Sequence, residues 1–309
     1  MVLFRCLSLL LFFFFFSCKM ENLPNSNNYK AKLNFTLKLD EVQQRLNSFG
    51  LPADIPVGHA VQTPNFKSMS IHYIELAPNA FTPLGEGVIL FKGQETDKGG
   101  ENAVDFDKAI LGENNQVFAT ISLKDLPHGT YEWVRTSITY QNYDIKFNLR
   151  NVPILGDLNN QAGTIASFVG FNTYISTISH SNKVLVVNDN KKQGFWAFET
   201  AFDAPYDIYN AIYSGQAPSS ATTVVNPIFQ SSPIPAGSCV VTGKLTTPLI
   251  ITGNEKEDLT IQLSYSTNGS FEWEDKNGNG ELDFFTDDAA NNENIVDMGL
   301  RGLIPSWHQ

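Results

Sequence analysis

The chain is poor in cysteine and lacks the short motifs by which many enzymes are recognised. Its 309 residues include three cysteines, and its five histidines form no HxH, HExxH or Cys/His cluster of the kind that holds zinc. The sequence also has no G-x-S-x-G serine motif and no phosphate-binding glycine loop. It therefore gives no support to a zinc enzyme, a serine hydrolase of that type or a P-loop enzyme.

Basic residues are also few. The chain has 21 Lys and Arg against 32 Asp and Glu, and its formal net charge is −11. A nucleic-acid-binding protein needs a basic patch or stripe, and the sequence contains no Lys-rich or Arg-rich block. We therefore expect no nucleic-acid partner, and we expect no attachment to a membrane by charge attraction alone.

One long apolar run is present, and it lies in MVLFRCLSLLLFFFFFSCKM. Arg5 precedes an apolar stretch from Leu7 to Phe16, and the small residue Ser17 follows it. This stretch is too short to cross about 30 Å of hydrocarbon as a helix, and its layout is typical of a secretory signal peptide. The sequence therefore predicts a signal peptide over residues 1–17, and no other apolar run approaches a membrane-spanning length.

The end of this run, FFSC, resembles the lipobox of bacterial lipoproteins, although Phe15 stands where leucine is usual. The relaxed pattern and the polar KMENLPNSNN after it are similar to lipoproteins of Bacteroidota. The resemblance implies that Cys18 is acylated, that residues 18–28 form a polar tether, and that lipid holds the protein at the outer membrane, on either face. The alternative is a secreted protein in which Cys18 is incidental. Because Cys6 would leave with the signal peptide, only Cys239 remains, and no internal disulfide is expected.

Period-two alternation dominates the rest of the chain and predicts a mainly β protein with few short helices. KLNFTLKLD places Leu33, Phe35, Leu37 and Leu39 on one face, and NYDIKFNLR does the same with Tyr143, Ile145, Phe147 and Leu149. Two segments carry helical signals: Asp40–Gly50, which Asp40 would cap and Gly50 would end, and APYDIYNAIYSG.

A β-hairpin is predicted in LTIQLSYSTNGSFEWED. A three-residue loop would pair Tyr265 with Phe271, whereas a two-residue loop would pair it with Glu272 and mix charge into the apolar face. We therefore predict a type I turn followed by a bulge, with Gly269 in the left-handed conformation.

The division into domains is predicted from a concentration of turn-forming residues over 150–163. It gives a β domain over residues 29–155 and a second over 156–309. LPHGTYEWV resembles the start of a strand in immunoglobulin-like and transthyretin-like β-sandwiches. That resemblance implies two antiparallel sandwich domains in tandem, with one large sandwich as the alternative.

The segment DKNGNGELDFFTDD has the spacing of a calcium-binding loop, in which oxygen ligands alternate around a tight glycine turn. Gly280 stands at the turn. The candidate ligands are Asp275, Asn277, Asn279, the main-chain carbonyl of Glu281, Asp283 and, further on, Asp287. The segment resembles the loops of EF-hand and dockerin proteins, which implies a structural calcium ion. It departs from them at Thr286, where a bidentate carboxylate is expected, and in following a strand. A polar turn without an ion is the alternative.

Aromatic residues are dense in GFWAFETAFDAPYDIYNAIY, and acids lie between them. Rings beside carboxylates can bind a glycan, so Trp196, Tyr206 and Tyr209 are candidate ligand-binding residues. Aromatic residues also fill β-protein cores, and the helical spacing of Tyr206, Tyr209 and Tyr213 favours packing.

The sequence therefore predicts a non-catalytic outer-membrane lipoprotein that acts as a binding or accessory module for a glycan or an envelope protein. Two alternatives stay open. The first is a glycan hydrolase that uses a pair of carboxylates such as Glu75 and Glu132. The second is a periplasmic metal-handling protein in which Met69 and His72 are ligands.

Overall fold

The structure is a computed structural model that describes residues 30–179, 181–218, 226–228, 230–234 and 240–309. The predicted signal peptide, Cys18 with the polar tether, and Cys239 lie outside the described residues. No helix of the described part is long and apolar enough to span a membrane.

The fold is mainly β, as predicted. Four short 3-10 helices are the only helices in the described ranges: Phe106–Lys108, Leu123–Asp125, Tyr206–Tyr209 and Ala289–Asn291. The strands of the described part are β1 (Lys32–Asp40), β2 (His59–Gln62), β3 (Asn65–Ala77), β4 (Val88–Lys92), β5 (Glu95–Thr96), β6 (Ala103–Asp105), β7 (Val117–Ser122), β8 (Gly129–Val152), β9 (Gly156–Phe168), β10 (Thr173–Ser179), β11 (Val184–Lys191), β12 (Phe195–Ala201), β13 (Ile212–Gln216), β14 (Val240–Ile251), β15 (Leu259–Ser266), β16 (Phe271–Glu274), β17 (Asp283–Phe285), β18 (Asn294–Met298) and β19 (Leu303–His308).

These strands form four sheets, and the arrangement includes a curled antiparallel half-barrel. The eight-stranded sheet has the order β13-β12-β9-β8-β3-β4, and β14 and β17 also pair with β8. The other sheets have the orders β19-β15-β1-β7, β11-β10-β6-β5 and β18-β16-β2. Strand β8 is therefore the common element of the largest sheet.

The main hydrophobic core lies between the sheet that contains β1 and β15 and the strands β3, β8 and β14. Leu33, Phe35 and Leu37 of β1 are fully buried in it, where they join Ile74 and Val134 from the larger sheet. The alternation predicted for KLNFTLKLD is thus confirmed. Removal of apolar surface from water is the main favourable contribution to such packing.

Two smaller cores lie along β8. One joins Tyr143 and Phe147 to Phe271, Trp273 and Leu282, so it connects the distal half of β8 to the C-terminal strands. The other surrounds the rings of Tyr140, Phe168 and Phe195. The first includes Tyr143, Ile145 and Phe147, the apolar face predicted for NYDIKFNLR.

Strand β8 is 24 residues long and joins two segments that the sequence indicates as separate strands. It forms a hairpin with β9 in which Val152 pairs with Gly156. The expected domain boundary at residue 155 lies at the tip of this hairpin. Strands from both sides of that boundary share sheets, since β1 pairs with β15 and β8 pairs with β14.

The predicted helix over Asp40–Gly50 is wrong, because residues after Asp40 form bends and turns. The carbonyl of Gln43 accepts a hydrogen bond from the Asn268 side chain at 2.8 Å. Val42 is 82% exposed instead of facing the core. Contacts with a distant turn therefore take the place of helical hydrogen bonds.

The predicted helix in APYDIYNAIYSG is also wrong. One 3-10 turn, Tyr206–Tyr209, is followed by β13, which pairs with β12. The Asn210 side chain accepts from the Phe202 N–H at 2.6 Å. This contact closes the turn and directs the chain back along β12.

The predicted hairpin between β15 and β16 is wrong as well, although Gly269 does adopt the left-handed conformation, with φ of +54°. Strand β15 pairs with β1 on one side and β19 on the other, so neither edge is free for β16. The turn around Gly269 instead carries the chain into the sheet of β2 and β18.

Candidate cation-binding loop

The loop between β16 and β17 wraps around the carboxylate of Asp275. That carboxylate accepts main-chain N–H groups from Gly278 at 2.8 Å, Asn279 at 3.1 Å and Gly280 at 2.9 Å. Gly278 and Gly280 have φ of +72° and +75°. Glycine reaches this region without a steric penalty, so the two residues let the loop close tightly around one acid.

Asp283 is the second centre of the loop and is fully buried. Its Oδ2 accepts from the side-chain amides of Asn277 at 2.7 Å and Asn279 at 2.8 Å, and its Oδ1 accepts from Asn148 at 2.9 Å and Arg150 at 2.8 Å. Burial raises the pKa of Asp283, but these hydrogen bonds outweigh it and hold the pKa below its usual value. The carboxylate is therefore ionised at neutral pH.

The other two candidate ligands make contacts with the tip of the β8–β9 hairpin. The Glu281 carboxylate accepts from Arg150 at 2.9 Å and from Asn148 at 2.8 Å. The Asp287 carboxylate accepts from Asn151 at 3.0 Å. The structure thus joins Asp275, Asn277, Asn279 and Asp283 through hydrogen bonds, whereas the side chains of Glu281 and Asp287 bond to the neighbouring hairpin.

A carboxylate that the sequence analysis missed lies beside this loop. Glu293, just before β18, accepts the Asp283 N–H at 2.8 Å through its Oε2, and its own N–H donates to the Asp283 carbonyl at 3.3 Å. Its only sequence signal is an acid at the start of the alternating segment ENIVDM. The local spacing of a calcium loop gives no reason to look that far along the chain.

Carboxylates alone do not form a metal site here. Among the residues that the structure describes, no group of three His, Cys, Asp or Glu side chains is arranged so that it could hold a metal ion. A cation in this loop would therefore need amide and main-chain oxygens too. The Oδ1 atoms of Asn277 and Asn279 each accept one main-chain N–H, and an amide oxygen has a second lone pair.

The three candidate ligand-binding aromatics have different environments. Trp196 is partly buried in β12, where its ring covers Gly215: a Cβ there would lie 2.4 Å from Trp196 Cζ2. Tyr206 packs against the core around Phe147, and Tyr209 is 55% exposed. Packing therefore accounts for Trp196 and Tyr206, and Tyr209 is accessible to solvent.

A cleft of about 330 Å³ opens elsewhere, at the end of β1. Its lining includes Lys38, Asp40, Phe66, Asn114 and Thr267. None of the three aromatic candidates lines it.

The two carboxylates considered for a hydrolase lie on opposite faces of one sheet. Glu75 pairs across the strands with Arg135, and Glu132 is three residues from Arg135 along β8, so its side chain projects from the other face. Glu75 is fully buried, lies 3.6 Å from Arg135, and accepts N–H groups from Gly85 and Gly87. Its contacts are those of a structural ion pair.

The two candidate soft-metal ligands also have separate roles. Met69 is fully buried in the main core. His72 Nε2 lies 2.8 Å from Glu95, whose carboxylate also contacts Lys92 at 2.9 Å and Asn102 at 3.1 Å. Burial raises the pKa of Glu95, but hydrogen bonds from Lys92, Asn102 and His72 outweigh it and hold the pKa at about 2.

Comparisons of the chain with protein-family models, with curated proteins and with solved structures found no match. Its function is therefore inferred from its residues and their contacts.

Proposed function

We propose that the protein is a non-catalytic lipoprotein of the bacterial outer membrane, a binding or accessory module whose C-terminal loop is stabilised by calcium. The convergence of Asp275, Asn277, Asn279 and Asp283 in one loop is the observation that carries the calcium assignment. The lipid attachment rests on Cys18 and the lipobox-like FFSC.

Calcium suits the loop because it takes six to eight oxygen ligands in flexible geometry. Asp275 and Asp283 supply negative charge, Asn277 and Asn279 supply amide oxygens, and Glu281 supplies its main-chain carbonyl. Two carboxylates with neutral oxygens favour a modest affinity. The ion would fasten β17 to the end of β16, and the proposed role is therefore structural.

The non-catalytic assignment is supported by the contacts of the acids that could have formed a catalytic pair. Glu75 is held by Arg135 and two main-chain N–H groups inside the protein. Tyr209, at 55% exposure, is the aromatic candidate best placed to stack on a glycan or on an envelope protein. The face-to-face packing across the main core favours a β-sandwich of the immunoglobulin-like or transthyretin-like kind.

The calcium assignment is tested by thermal unfolding of the full chain in detergent, first with EDTA and then with increasing calcium. Calcium at 100 times its dissociation constant adds about 2.7 kcal/mol of stability, which corresponds to roughly 5 °C in melting temperature for a protein of this size. Asp275→Asn should reduce this rise. If calcium leaves the melting temperature of the wild type unchanged, and Asp275→Asn does not change it either, the proposed calcium site is refuted.

The lipid assignment is tested separately by metabolic labelling with palmitate in a bacterial host. We expect label on the wild-type chain and none on Cys18→Ser. Label that survives the substitution would exclude Cys18 as the acylated residue.

A further inference from the structure

The loop of residues 78–87, between β3 and β4, presents two large apolar side chains to solvent. Phe81 is 67% exposed and Leu84 is 42% exposed. Single exposed apolar residues are common on protein surfaces, so exposure alone does not mark a binding site. The way in which the loop is held, and its position in the fold, give this pair a further meaning.

A buried carboxylate holds one side of the loop. Glu75 Oε1 accepts the main-chain N–H groups of Gly85 at 3.1 Å and Gly87 at 2.7 Å. The approach is so close that a Cβ on Gly87 would lie 2.5 Å from the same oxygen. The loop is therefore fixed against the sheet by an acid that no solvent reaches.

The partner of that acid holds the other side of the loop. The Arg135 guanidinium, 1% exposed, donates to the main-chain carbonyls of Thr82 at 2.6 Å and Pro83 at 3.4 Å. A buried ion pair has a large desolvation cost and is weak evidence for stability. Here it binds the main chain of the loop, and Phe81 and Leu84 stay exposed while their neighbours are held in place.

The described chain begins at the end of the fold that carries this loop. The Leu123 N–H donates to the carbonyl of Ala31, immediately before β1, at 2.9 Å. Only a short connection separates Leu123 from Gly129, the first residue of β8. Ala77, the last residue of β3, pairs with Trp133 near the start of β8. The start of β1 and the loop of residues 78–87 therefore lie at the same end of β8.

The proposed lipid on Cys18 limits the distance between this end and the membrane. Residues 19–29 join Cys18 to Lys30, and a chain of that length spans at most about 40 Å even when fully extended. Strand β8 has 24 residues, which correspond to roughly 80 Å along the strand. The anchor thus keeps the loop of residues 78–87 near the bilayer and leaves the tip of the β8–β9 hairpin far along β8.

We propose that the loop of residues 78–87 is a membrane-docking loop, in which Phe81 and Leu84 insert between the lipid headgroups of the membrane that holds Cys18. Apolar side chains that enter this boundary are removed from water, which favours binding. The inference rests on the lipid attachment proposed above. It adds a second contact with the same membrane, and this contact would fix the orientation of the anchored protein.

Charges at this end of the fold are of both signs. Lys32 is exposed, and Lys124, 54% exposed, lies 3.9 Å from Asp125, which is 64% exposed. Attraction to anionic headgroups would therefore contribute little, and docking would depend on apolar insertion. We expect the insertion to be insensitive to salt concentration.

The test places a fluorophore in the loop of the full, acylated chain in vesicles of phosphatidylethanolamine and phosphatidylglycerol. In a Cys239→Ser background, the label is attached at Leu84→Cys or, as the control, at Ile154→Cys, which is fully exposed beyond the other end of β8. Lipid with a spin label near its headgroup quenches a fluorophore that lies in the interface. We expect quenching at position 84 to exceed that at position 154 by at least about threefold, and Phe81→Ser to reduce the quenching at position 84 by about half.

The outcomes separate this inference from the lipid attachment. All three positions are exposed, so the variants should fold, and thermal unfolding checks this. If the chain carries palmitate and floats with the vesicles, but quenching at position 84 is no greater than at position 154, the lipid attachment stands and the docking loop is refuted. Quenching that Phe81→Ser leaves unchanged refutes the docking loop as well. A chain that neither carries palmitate nor floats with the vesicles refutes the lipid attachment, and this inference with it.

Discussion

Glu272 of β16 is the centre of a buried charge cluster, and its replacement by glutamine is the most demanding test of the fold. The side chain is 5% exposed, and it accepts from Arg45 at 2.6 Å, Arg301 at 2.8 Å and His59 at 2.6 Å. Arg301 is itself only 3% exposed. Glu272→Gln keeps the shape of the side chain and removes the negative charge that the two guanidinium groups share.

The expected loss follows from what remains around the arginines. Removing one partner of a buried ion pair costs about 3–5 kcal/mol, because the other charge is left buried. Asp297 lies 3.4 Å from Arg301 and would compensate in part. Burial raises the pKa of Asp297 to about 6, with Glu272 contributing to that rise, so Asp297 would be more fully ionised in the variant. We therefore expect the lower end of the range, about 3 kcal/mol.

Urea unfolding followed by tryptophan fluorescence measures this loss as a change in the free energy of unfolding. Glu274→Gln, two residues further along β16 and exposed, is the control, and it should change the free energy by no more than about 0.5 kcal/mol. If Glu272→Gln lost less than about 1 kcal/mol, or no more than the control, the cluster would not be a buried network that holds β16 in place.

Three other tests, which use five substitutions, concern separate parts of the fold. Gly170→Ala should lower the free energy of unfolding in urea by about 3 kcal/mol, because the added Cβ would lie 1.7 Å from a β8 carbonyl oxygen. Gly93→Ala is the control and should cost under about 1 kcal/mol, because its nearest contact for a Cβ is 3.4 Å away. Equal losses in the two variants would contradict this prediction. Tyr265→Phe should lose about 1 kcal/mol with its hydrogen bond to a threonine, and Tyr143→Phe, whose buried hydroxyl has no partner in the described part, should be neutral or stabilising in thermal melts. Glu95→Gln should destabilise the protein at pH 7. The Glu95 carboxylate has its pKa lowered to about 2, so it adds stability above pH 4.5 that is lost as the pH falls towards 2. A difference in the free energy of unfolding between wild type and variant that stays constant between about pH 6 and 3 would refute this prediction.

Local patterns predicted the strands well and their partners poorly. The alternation in β1 and in the distal half of β8 is directly visible in the sequence, because each has one apolar face that must be buried. The full length of β8 was not visible in the sequence, because the polar pair Gln141 and Asn142 interrupts the apolar alternation. In the structure both are buried and hydrogen-bonded, Gln141 to the carbonyl of Met298 and Asn142 to the hydroxyl of Tyr140.

The errors have a common physical cause, which is that distant segments decide the local conformation. The segment after Asp40 has a helical pattern, yet one of its main-chain carbonyls accepts a hydrogen bond from the side chain of Asn268. The hairpin around Gly269 had suitable turn chemistry, yet β15 already has a partner at each edge. In the candidate site, the local loop spacing identified Asp275 and Asp283, and only the fold brings Glu293 to the main chain of Asp283.

The parallel pairing of β1 with β15 bears on the order in which this chain can reach its native state. Leu33 pairs with Leu259, so β1 is synthesised long before β15, the strand with which it pairs. Until β15 has been synthesised, the edge of β1 that pairs with it has unpaired main-chain N–H and C=O groups. Pairing of strands so far apart in the sequence is slow. The sheet that contains β1 and β15 therefore cannot be completed until most of the chain has been synthesised.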